Sequence, residues 1–332
     1  MQEKIDIAFG FDAKFAPHVT AVISSVARLA KGGNFRFLML QPGLDAGLRA
    51  KVESVAPTAQ FIWIRIGEDD VPPFADKEHF TRSTLFRLGL EKLAPHDCER
   101  VLYLDADLTI LRDIRELWHS DLGDYPIGAI ADAGIALDPV RYFDPRDFAR
   151  KWQLPERKDY FNAGVLLIDL KRVRAEKLFS KAIEFLAQHG PDLPYNDQDA
   201  LNWAAWGRWK PLDVAWNVQK ELVLAALFPE QSKKERISIC NPAIVHYTGA
   251  EKPWIPGSYH PWAWLYWESL DHTPFGNEVA REYGMTFGRR LRLLARWIRR
   301  HPKRLAGWNA RIKRQAAPLP GADDDLDVSL AA

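Results

Sequence analysis

Short apolar runs alternate along the first hundred residues with longer segments in which apolar residues recur at helical spacing. Helices are predicted from Pro17 to Ala30 and over 44–55 and 80–93. The runs between them have the length of β-strands, and they occupy residues 5–11, 35–40, 60–66 and 101–105. Because these strands are apolar throughout and the helices are about ten to fifteen residues long, the pattern predicts an α/β fold with a mostly parallel sheet covered on both faces.

The pattern is looser after residue 113. Two more strands are predicted at 127–132 and 161–170, and two helices at 172–188 and 197–206. Residues 207–275 are rich in Trp and Pro, and we expect this region to be mostly irregular. In an open α/β sheet, ligands bind beyond the carboxyl ends of strands, so the residues that follow 101–104 are the first to consider for function.

The composition is that of a soluble globular protein with a sizeable core: 332 residues, of which 47% are hydrophobic and 27% charged. The two cysteines, Cys98 and Cys240, do not form the pattern of a disulfide scaffold and favour a reducing compartment. The sequence contains no signal-peptide pattern, and no window approaches the roughly 20 apolar residues of a membrane span. We therefore expect a cytoplasmic protein.

The net charge of +1 conceals an uneven distribution. Residues 289–315 contain 11 Lys or Arg and no acidic residue, and the tail that follows adds four Asp. Residues 1–288 carry a net charge of −6. The body is therefore mildly acidic, and one segment near the C-terminus is strongly basic.

Two carboxylates, Asp105 and Asp107, end the strand at 101–105. Isolated charges are costly beside a buried strand, so a positive group is expected to meet them. At a frayed strand end both carboxylates can turn towards one divalent cation, and Mg²⁺ and Mn²⁺ prefer such oxygen ligands together with phosphate oxygens. A solvated turn explains so short a motif equally well.

The same residues also fit a second chemistry. The stretch "DADLT" (105–109) matches the D-x-D-x-T motif of haloacid-dehalogenase-like phosphatases, in which the first Asp is the nucleophile. That motif normally ends the first strand of its domain, whereas three strand-like runs precede it here. No acidic pair follows at a later strand end, so the phosphatase is the weaker alternative.

Three further segments place polar residues at the ends of predicted elements, and each has a simple structural explanation. The segment "NAG" (162–164) begins a buried strand and fits a turn. The segment "YNDQDALN" (195–202) begins a helix, which Asp and Asn would cap. His246 ends an apolar run ahead of Gly249 and Lys252; His is a common metal ligand and Lys a phosphate binder, although a lone His at a strand end is more often structural.

Together and in this order, the segments resemble glycosyltransferase family 8, retaining enzymes that include lipopolysaccharide galactosyl- and glucosyltransferases and glycogenin. The resemblance extends over about residues 5–254. It is carried by "IDIAFGFD", "RSTLFRLGL", "VLYLDADLTILRDIRELW", "DLGDYPIGA", "YFNAGVLLIDL", "DQDALN" and "HYTGAEKPW". The chain resembles in particular the bacterial lipopolysaccharide α-galactosyl- and glucosyltransferase type.

The resemblance implies a GT-A fold, in which a nucleotide-binding mixed sheet flanked by helices carries a smaller acceptor-binding part. It also implies that Asp105, Asp107 and His246 hold Mn²⁺, or Mg²⁺ in its place, against the phosphates of a UDP-sugar. Lys252 and the backbone of Gly249 would support these phosphates. The donor is then expected to be UDP-galactose or UDP-glucose, and the acceptor an oligosaccharide or a lipid-linked glycan such as lipopolysaccharide core.

Other positions match residues of the family that contact the two substrates. The positions around the uracil and ribose are Gly10 and Asp12, those around the donor sugar are Arg87, Asn162, Asp197 and Gln198, and those near the acceptor are His79, Asp132 and Tyr195. One position departs from the family. Two residues after the equivalent of Asp12 the family often has Asn, and this chain has Lys14.

Retention of configuration requires either a covalent carboxylate intermediate or attack from the face that the leaving group leaves. By the resemblance, Gln198 stands where a nucleophile would be expected, and an amide is a poor nucleophile. We therefore favour same-face attack, with a phosphate oxygen accepting the proton of the acceptor. Asp199 is the reserve nucleophile.

The basic segment near the C-terminus is predicted to be an amphipathic helix, which Pro302 interrupts. Its apolar face comprises Phe287, Leu291, Leu294 and Ile298. A basic amphipathic helix that contains Trp is typical of binding to an anionic membrane surface, here through residues 287–315. A nucleic-acid arm and a solvated helix are the alternatives, and we expect no nucleic-acid partner.

The predicted organisation is a GT-A catalytic domain at 1–275, a basic membrane-associating segment at 276–315 and a disordered tail at 316–332. Such an enzyme would be peripheral on the inner face of a bacterial membrane, where it would meet a lipid-linked acceptor. A non-catalytic membrane-binding protein on a transferase scaffold is a further alternative. It would be expected to lose Asp107, Gln198 or His246, all of which are present.

Overall fold

A computed structural model describes residues 3–72, 81–140, 142–157, 159–225, 239, 241–258 and 260–300. Within these residues the chain forms a seven-stranded and a three-stranded sheet packed against helices, which confirms the predicted α/β class. The strands are β1 (Lys4–Gly10), β2 (Asn34–Gln41), β3 (Gln60–Arg65), β4 (Arg100–Leu104), β5 (Leu108–Ile110), β6 (Ile127–Ala131), β7 (Phe161–Asp169), β8 (Trp209–Pro211), β9 (Val218–Gln219) and β10 (Ile244–His246).

The larger sheet has the strand order β3-β2-β1-β4-β7-β6-β8. Its neighbours are parallel, except that β7 runs antiparallel to both β4 and β6. A strand that is buried on both faces is apolar whichever way it runs, so the sequence predicts this strand but not its direction. The reversal places the start of β7 beside the end of β4, where the backbone N–H of Asp105 donates to the carbonyl of Gly164 at 2.8 Å.

The smaller sheet has the order β5-β10-β9. Strand β10 pairs antiparallel with β5, and this register sets His246 opposite Leu108. The backbone N–H of Tyr247 donates to the carbonyl of Asp107 at 3.0 Å, so the pairing continues one residue further. Residues 105–107, which link β4 to β5, are therefore hydrogen-bonded to β7 of the larger sheet at one end and to the residue after β10 of the smaller sheet at the other.

Helices cover both faces of the larger sheet. They are α1 (Ala16–Leu29), α2 (Ala46–Glu53), α3 (Leu90–Leu93), α4 (Arg115–Trp118), α5 (Ala133–Leu137), α6 (Pro145–Lys151), α7 (Leu170–Glu176), α8 (Leu178–His189), α9 (Asp197–Ala204), α10 (Lys220–Ala225), α11 (Ala263–Leu270), α12 (Gly276–Glu282) and α13 (Phe287–Arg300). Alternate residues of β4 enter different cores: Tyr103 packs in the cluster that contains α8 and α9, and Leu102 in the one that contains α1. This two-sided burial explains why the strands are apolar throughout.

Two predicted helices are divided in the structure. The segment 172–188 contains α7 and α8, which meet at Lys177, where the backbone is left-handed with φ of 53°. The segment 80–93 is mostly a 3₁₀ helix, Arg82–Gly89, continued by α3. Apolar spacing over so few turns does not distinguish these geometries from one continuous α-helix.

In the part that the structure describes, the Trp-rich region contains more regular structure than the mostly irregular segment that the sequence predicts. It contains β9, β10, α10 and α11, and its aromatic side chains form a buried cluster with those of neighbouring elements. The largest members of this cluster are Tyr247, Trp254, Trp262, Tyr266 and Trp267. Large aromatic residues in short elements bury enough surface to form a core without showing helical or strand periodicity.

Helix α13 packs on this cluster through Leu293, while Arg290 pairs with Asp271 at 2.6 Å. Phe287 and Leu291 are 81% and 54% exposed. Upstream, Val279 of α12 is buried in the same cluster, so the packed body continues past residue 275. The side chain of Ile298 and residues 301–332 lie outside the described residues, as does His79. No helix of the described chain has the length and hydrophobicity that a membrane span requires.

Candidate active site

A cavity opens where the end of β4 meets the start of β7 and the end of β10. Most of the residues predicted for function line it: Gly10, Arg87, Asp105, Asp107, Asp132, Asn162, Tyr195, Asp197, Gln198, His246, Gly249 and Lys252. Asp12 and Asp199 are not among the residues that line the cavity. The side chain of Asp12 accepts hydrogen bonds from the backbone N–H groups of Lys14 and Phe15, and so fixes the turn that presents Phe15 to the cavity.

Asp105, Asp107 and His246 form a group of three potential metal ligands whose donor atoms lie within 4.8 Å of one another. Nε2 of His246 is 3.3 Å from Oδ1 of Asp107 and 3.8 Å from Oδ2 of Asp105. Two carboxylate oxygens and one imidazole nitrogen are a donor set suited to Mn²⁺ or Mg²⁺. The donor set alone does not distinguish between these ions.

The backbone of β7 leaves room for this group because residue 164 is glycine. A Cβ atom at Gly164 would lie 2.2 Å from Cε1 of His246 and 2.7 Å from Oδ2 of Asp105. Contacts under 3 Å are not tolerated, so any larger residue would push His246 or Asp105 away. The "NAG" segment therefore serves the site in two ways. Gly164 leaves the space that His246 and Asp105 occupy, and Asn162 provides a polar side chain.

The remaining side of His246 is held by the amide of Asn217, which is held in turn by the amide of Asn162. Nδ1 of His246 lies 2.9 Å from Oδ1 of Asn217, and Nδ2 of Asn217 donates to Oδ1 of Asn162 at 2.9 Å. Oδ1 of Asn162 also accepts from the backbone N–H of Gly164 at 3.1 Å. All these side chains are buried, with His246 and Asn217 no more than 3% exposed. Asp105, Asp107 and His246, which we call the metal group, are thus part of a hydrogen-bonded network and not a cluster of solvated side chains.

Two cations neutralise the carboxylates. Nζ of Lys252 binds Oδ2 of Asp107 and also donates to the carbonyl of Tyr247 at 2.8 Å. Burial alone would raise the pKa of the Asp107 carboxyl, but Lys252 and His246 lower it far below its usual range. Asp107 is therefore charged at every working pH.

Arg87 is the second cation, and its side chain is held on every side. Nη2 lies 3.0 Å from Oδ1 of Asp105, and Nε lies 2.9 Å from Oδ2 of Asp197 while donating to the carbonyl of Thr84. Nη1 donates to the carbonyl of Ala163, and the guanidinium stacks 4.6 Å from the ring of Tyr103. Although burial alone would lower its pKa, the neighbouring carboxylates raise it, so Arg87 is a permanent positive charge between Asp105 and Asp197.

The side-chain amide of Gln198 has a fixed orientation. Its Oε1 accepts from the backbone N–H of Ala163 at 3.0 Å, and its Nε2 donates to Oδ2 of Asp132 at 3.2 Å. Nδ2 of Asn162 donates to the same carboxylate oxygen at 3.1 Å. Because a backbone N–H can only donate, the oxygen of Gln198 must face β7 and its nitrogen must face Asp132.

Asp199 has a different environment from its neighbours. It is completely buried, and its two oxygens accept hydrogen bonds from the hydroxyl of Tyr160 at 2.5 Å and from the backbone N–H of Tyr195 at 2.6 Å. Burial raises the pKa of Asp199, and separately that of Asp197, to about 6. Asp199 therefore holds the turn that presents Tyr195 and Asp197 to the cavity, and its carboxylate does not face the substrate side.

The loop that carries Gly249 and Lys252 is anchored by stacking. The ring of Trp254 stacks on that of His18 of α1 at 3.7 Å, and Nδ1 of His18 lies 2.7 Å from the hydroxyl of Tyr266. Burial lowers the pKa of His18 to about 3, so this ring is neutral when it stacks. Gly249 has φ of 73°, a left-handed backbone that glycine adopts without strain.

Several lining residues escaped the sequence analysis, and they include Tyr103, Tyr142, Gln219, Glu221 and Thr248. Tyr103 belongs to the predicted strand and was assigned only to the core. Its hydroxyl nevertheless donates to Oδ1 of Asp105 at 3.1 Å. Asn217 was also missed, because a single Asn between a Trp and a Val carries no periodic or motif signal.

Both the sequence and the fold of the chain are similar to those of known proteins. A model of the family described as Glycosyl transferase family 8 matches residues 6–256. The chain is 26% identical to the lipopolysaccharide 1,2-glucosyltransferase of Escherichia coli (strain K12) over 288 residues, which cover 84% of this chain and 81% of that protein. It is 30% identical to general stress protein A of Bacillus subtilis (strain 168) over 205 residues, or 60% of this chain and 68% of that protein.

The fold is likewise similar to that of a solved transferase. The crystal structure of the galactosyltransferase LgtC in complex with donor and acceptor sugar analogs matches with a TM-score of 0.70 and 26% identity. The match covers 84% of this chain and all of that chain. The predicted GT-A architecture is thereby confirmed.

Proposed function

The chain belongs to glycosyl transferase family 8, and we propose that it transfers a galactose or glucose residue from a UDP-sugar to a saccharide acceptor with retention of configuration. The observation that carries this proposal is the convergence of Asp105, Asp107 and His246 with Lys252 at the mouth of one cavity. Two carboxylates that hold a cation beside a lysine form a site for a diphosphate. The family match supports a transferase and leaves the phosphatase interpretation of "DADLT" without support.

The roles of the residues follow from their contacts. Asp105, Asp107 and His246 would hold a divalent cation, whose charge would stabilise the diphosphate leaving group. Lys252 and the backbone of Gly249 bind phosphate oxygens, because the loop that carries them borders the carboxylates. Gly10 and Phe15 line the part of the cavity proposed for the uracil and ribose, with Asp12 fixing the turn behind them. Lys14, where the family often has Asn, is exposed and outside this lining.

The sugar lies, in this proposal, between Arg87, Asn162, Asp197 and Gln198. The bond between the anomeric carbon and the β-phosphate oxygen breaks, and the acceptor oxygen bonds to the same face of that carbon. The acceptor proton passes to a phosphate oxygen, and UDP leaves. Gln198 would stabilise positive charge on the sugar through its amide oxygen without bonding to it, because an amide is a poor nucleophile and this oxygen also accepts from the backbone N–H of Ala163 and from Nδ2 of Asn162.

The acceptor side is formed by residues from three elements. Asp132 begins α5, Tyr195 precedes α9, and Tyr142 donates from its hydroxyl to Glu221 of α10 at 3.4 Å. Aromatic rings beside carboxylates are suited to the apolar faces and hydroxyl groups of a saccharide. The similarity to the lipopolysaccharide 1,2-glucosyltransferase of Escherichia coli supports lipopolysaccharide core or another lipid-linked glycan as the acceptor class. His79, which lies outside the described residues, keeps its proposed place near the acceptor.

We further propose that residues 287–315 bring the enzyme to an anionic membrane surface on the cytoplasmic side. Phe287 and Leu291 are exposed on α13, and Arg289 and Arg292 lie on the same short segment. Exposed apolar residues among cations bind the boundary between lipid headgroups and acyl chains. The proposed organisation keeps the catalytic body ahead of this segment and the acidic tail after it.

The direct test is a panel of nucleotide sugars. The full chain is incubated with UDP-galactose, UDP-glucose and other UDP-sugars, with Mn²⁺, with Mg²⁺ and with chelator, and UDP release is measured with and without saccharide acceptors. We expect release from a UDP-hexose that requires a divalent cation and is abolished in Asp107→Ala. Asp113→Ala is the matched control, because Asp113 pairs with Arg115 outside the cavity. Cation-independent release, or equal rates in Asp107→Ala, would refute the metal-assisted mechanism.

A further inference from the structure

Two buried amides, those of Asn162 and Asn217, lie between the metal group and the sugar side of the cavity, and their orientations can be deduced from a single backbone N–H. The starting point is the backbone N–H of Gly164, which lies 3.1 Å from Oδ1 of Asn162. A backbone N–H can only donate, so this atom of Asn162 must be the oxygen. The atom of Asn217 that lies 2.9 Å from the same oxygen must then be its NH₂ group.

The deduction continues to the histidine. If Nδ2 of Asn217 faces Asn162, its Oδ1 faces Nδ1 of His246 at 2.9 Å, and an amide oxygen can only accept. Nδ1 of His246 therefore carries the hydrogen. In a neutral ring the lone pair is then on Nε2, which faces Asp105 and Asp107 at 3.8 Å and 3.3 Å.

We propose that Asn217 is a positioning residue that holds His246 in the Nδ1–H tautomer and so makes Nε2 a metal ligand. This inference rests on the metal site of the proposed function. A histidine that binds a metal through one nitrogen commonly donates from the other to a carbonyl or carboxylate oxygen, and the loss of that partner typically costs about 10- to 100-fold in metal affinity. Without Asn217, Nε2 could carry the hydrogen and meet the carboxylates as a donor.

Asn162 also connects this hydrogen-bonded network to the side chains on the other side of the cavity. Its oxygen holds Asn217, and its nitrogen donates to Oδ2 of Asp132 at 3.1 Å and to Oε1 of Gln198 at 3.3 Å. One amide thus joins Asn217, the partner of His246, to Asp132 on the proposed acceptor side and to Gln198 beside the proposed donor sugar. The backbone N–H groups of Ala163 and Gly164, which are consecutive in β7, fix both ends of this network.

The variants separate the two hydrogen bonds of Asn217. Asn217→Ala removes both. Asn217→Asp keeps an oxygen to accept from Nδ1 of His246 but sets a second oxygen against Asn162. Asn202→Ala is the matched control: Asn202 is a buried Asn that bonds the backbone of Phe161 and Gln198 away from the metal group.

The experiment measures Mn²⁺ affinity of the full-length variants with UDP present, by calorimetry, together with thermal unfolding. We expect Asn217→Ala to lose about 10- to 100-fold in affinity, and Asn217→Asp to stay within about threefold of the parent although its unfolding temperature falls. Asn202→Ala should unfold earlier with unchanged affinity. If affinity instead follows unfolding temperature across all three variants, Asn217 is merely structural and the proposal is overturned.

A second measurement distinguishes a failure of this inference from a failure of the proposed function. Nitrogen chemical shifts of ¹⁵N-histidine-labelled protein distinguish the two tautomers without metal, and the resonances of His246 are assigned by their loss in His246→Gln. We expect Nδ1–H in the parent and a mixture in Asn217→Ala. An Nε2–H parent overturns the inference, even if Mn²⁺ binds. A parent with Nδ1–H that binds no Mn²⁺ overturns the proposed metal site instead.

Discussion

Nζ of Lys252 binds Oδ2 of Asp107, so the carboxylate whose other oxygen faces His246 already carries a cation of the protein itself. Arg87 likewise pairs with Asp105, and the two cations balance the two carboxylates. Arg87 is held on every side, whereas Lys252 lies on a loop and reaches Asp107 from the cavity edge. Lys252 is therefore the cation that would move to the diphosphate of the proposed donor.

This relationship predicts that Lys252→Met has opposite effects on two binding steps. Removal of the competing charge should raise the affinity for Mn²⁺ alone by about tenfold, while the affinity for UDP in the presence of Mn²⁺ should fall, because a phosphate contact is lost. Calorimetric titrations of metal alone and of UDP at saturating metal check both signs. Lys220→Met is the control, since Lys220 pairs with Glu251. Weaker binding of Mn²⁺ alone in Lys252→Met would contradict the proposed competition between Lys252 and the metal ion for Asp107.

Gly164→Ala should damage the metal site while leaving the sheet intact. The added Cβ atom would lie 2.2 Å from Cε1 of His246, so the ring must move away from the carboxylates. We expect Mn²⁺ affinity to fall by about tenfold or more, the scale seen when a ligand is displaced or its support is lost. Gly190→Ala provides the control, because a Cβ there meets only Cδ1 of Leu186 at 3.7 Å. Unchanged affinity in Gly164→Ala would show that β7 does not limit the position of His246.

Gln198→Ala should slow transfer without changing its stereochemistry. The amide positions Asp132 and stabilises charge on the sugar, so its removal should cost about 10- to 100-fold in rate, or roughly 1.4–2.7 kcal/mol of barrier. The product should remain an α-linked hexoside formed from an α-UDP-hexose, as determined by NMR of its anomeric proton. A β-linked product from either protein would rule out retention.

Asp199→Asn should lower stability more than turnover, because Asp199 supports a turn behind the cavity. An amide cannot accept from both Tyr160 and Tyr195 as the carboxylate does, and we expect a loss of about 1–3 kcal/mol in unfolding free energy. Transfer should stay within about tenfold of the parent in the folded variant. Complete loss of transfer with an unchanged unfolding curve would instead identify Asp199 as the nucleophile.

Asp199 also makes the free energy of unfolding depend on pH, and the direction of this dependence follows from its pKa. Burial raises the pKa of Asp199 to about 6 in the folded chain, above its value near 3.8 in the unfolded chain. The folded state therefore binds this proton more tightly, and the stability it contributes, at most about 3 kcal/mol, is lost as the pH rises through 6. The stability advantage of the parent over Asp199→Asn should shrink between pH 4 and pH 6 in denaturant titrations. An advantage that grows over this range would contradict the assignment.

The C-terminal segment should determine membrane binding. Deletion of 287–332 should release the protein from anionic vesicles and spare turnover of a soluble acceptor, and binding of the full chain should weaken with salt, because the Debye length is about 3 Å at 1 M. Since α13 also packs on the body through Leu293, the variant Phe287→Ser/Leu291→Ser tests the exposed face alone. It should bind vesicles less and unfold at the parent temperature. Sedimentation of the deletion variant equal to that of the full chain would exclude this anchor.

The sequence predicted the main features of the site because these features depend on local signals. Lys252 and Asp107 are 145 positions apart, but each stands next to the end of an apolar run, and strand ends meet at one edge of a sheet. The direction of β7 was not predictable, since an all-apolar strand has no polar face to show its neighbours. Asn217 was not predictable either, because its function depends on Asn162 and His246, 55 and 29 positions away.

The metal ligands also have a consequence for the lifetime of the folded chain. Asp105 follows the larger sheet, whereas His246 ends a strand of the smaller one, so a cation held by the proposed ligands would add a cross-link between two sheets that backbone hydrogen bonds and the side chains of Asn162, Asn217 and His246 already join. A ligand that binds only the folded state adds about 2.7 kcal/mol at one hundred times its dissociation constant. If the cation binds as proposed, the chain without it would lose this stabilisation and would be more exposed to proteolysis.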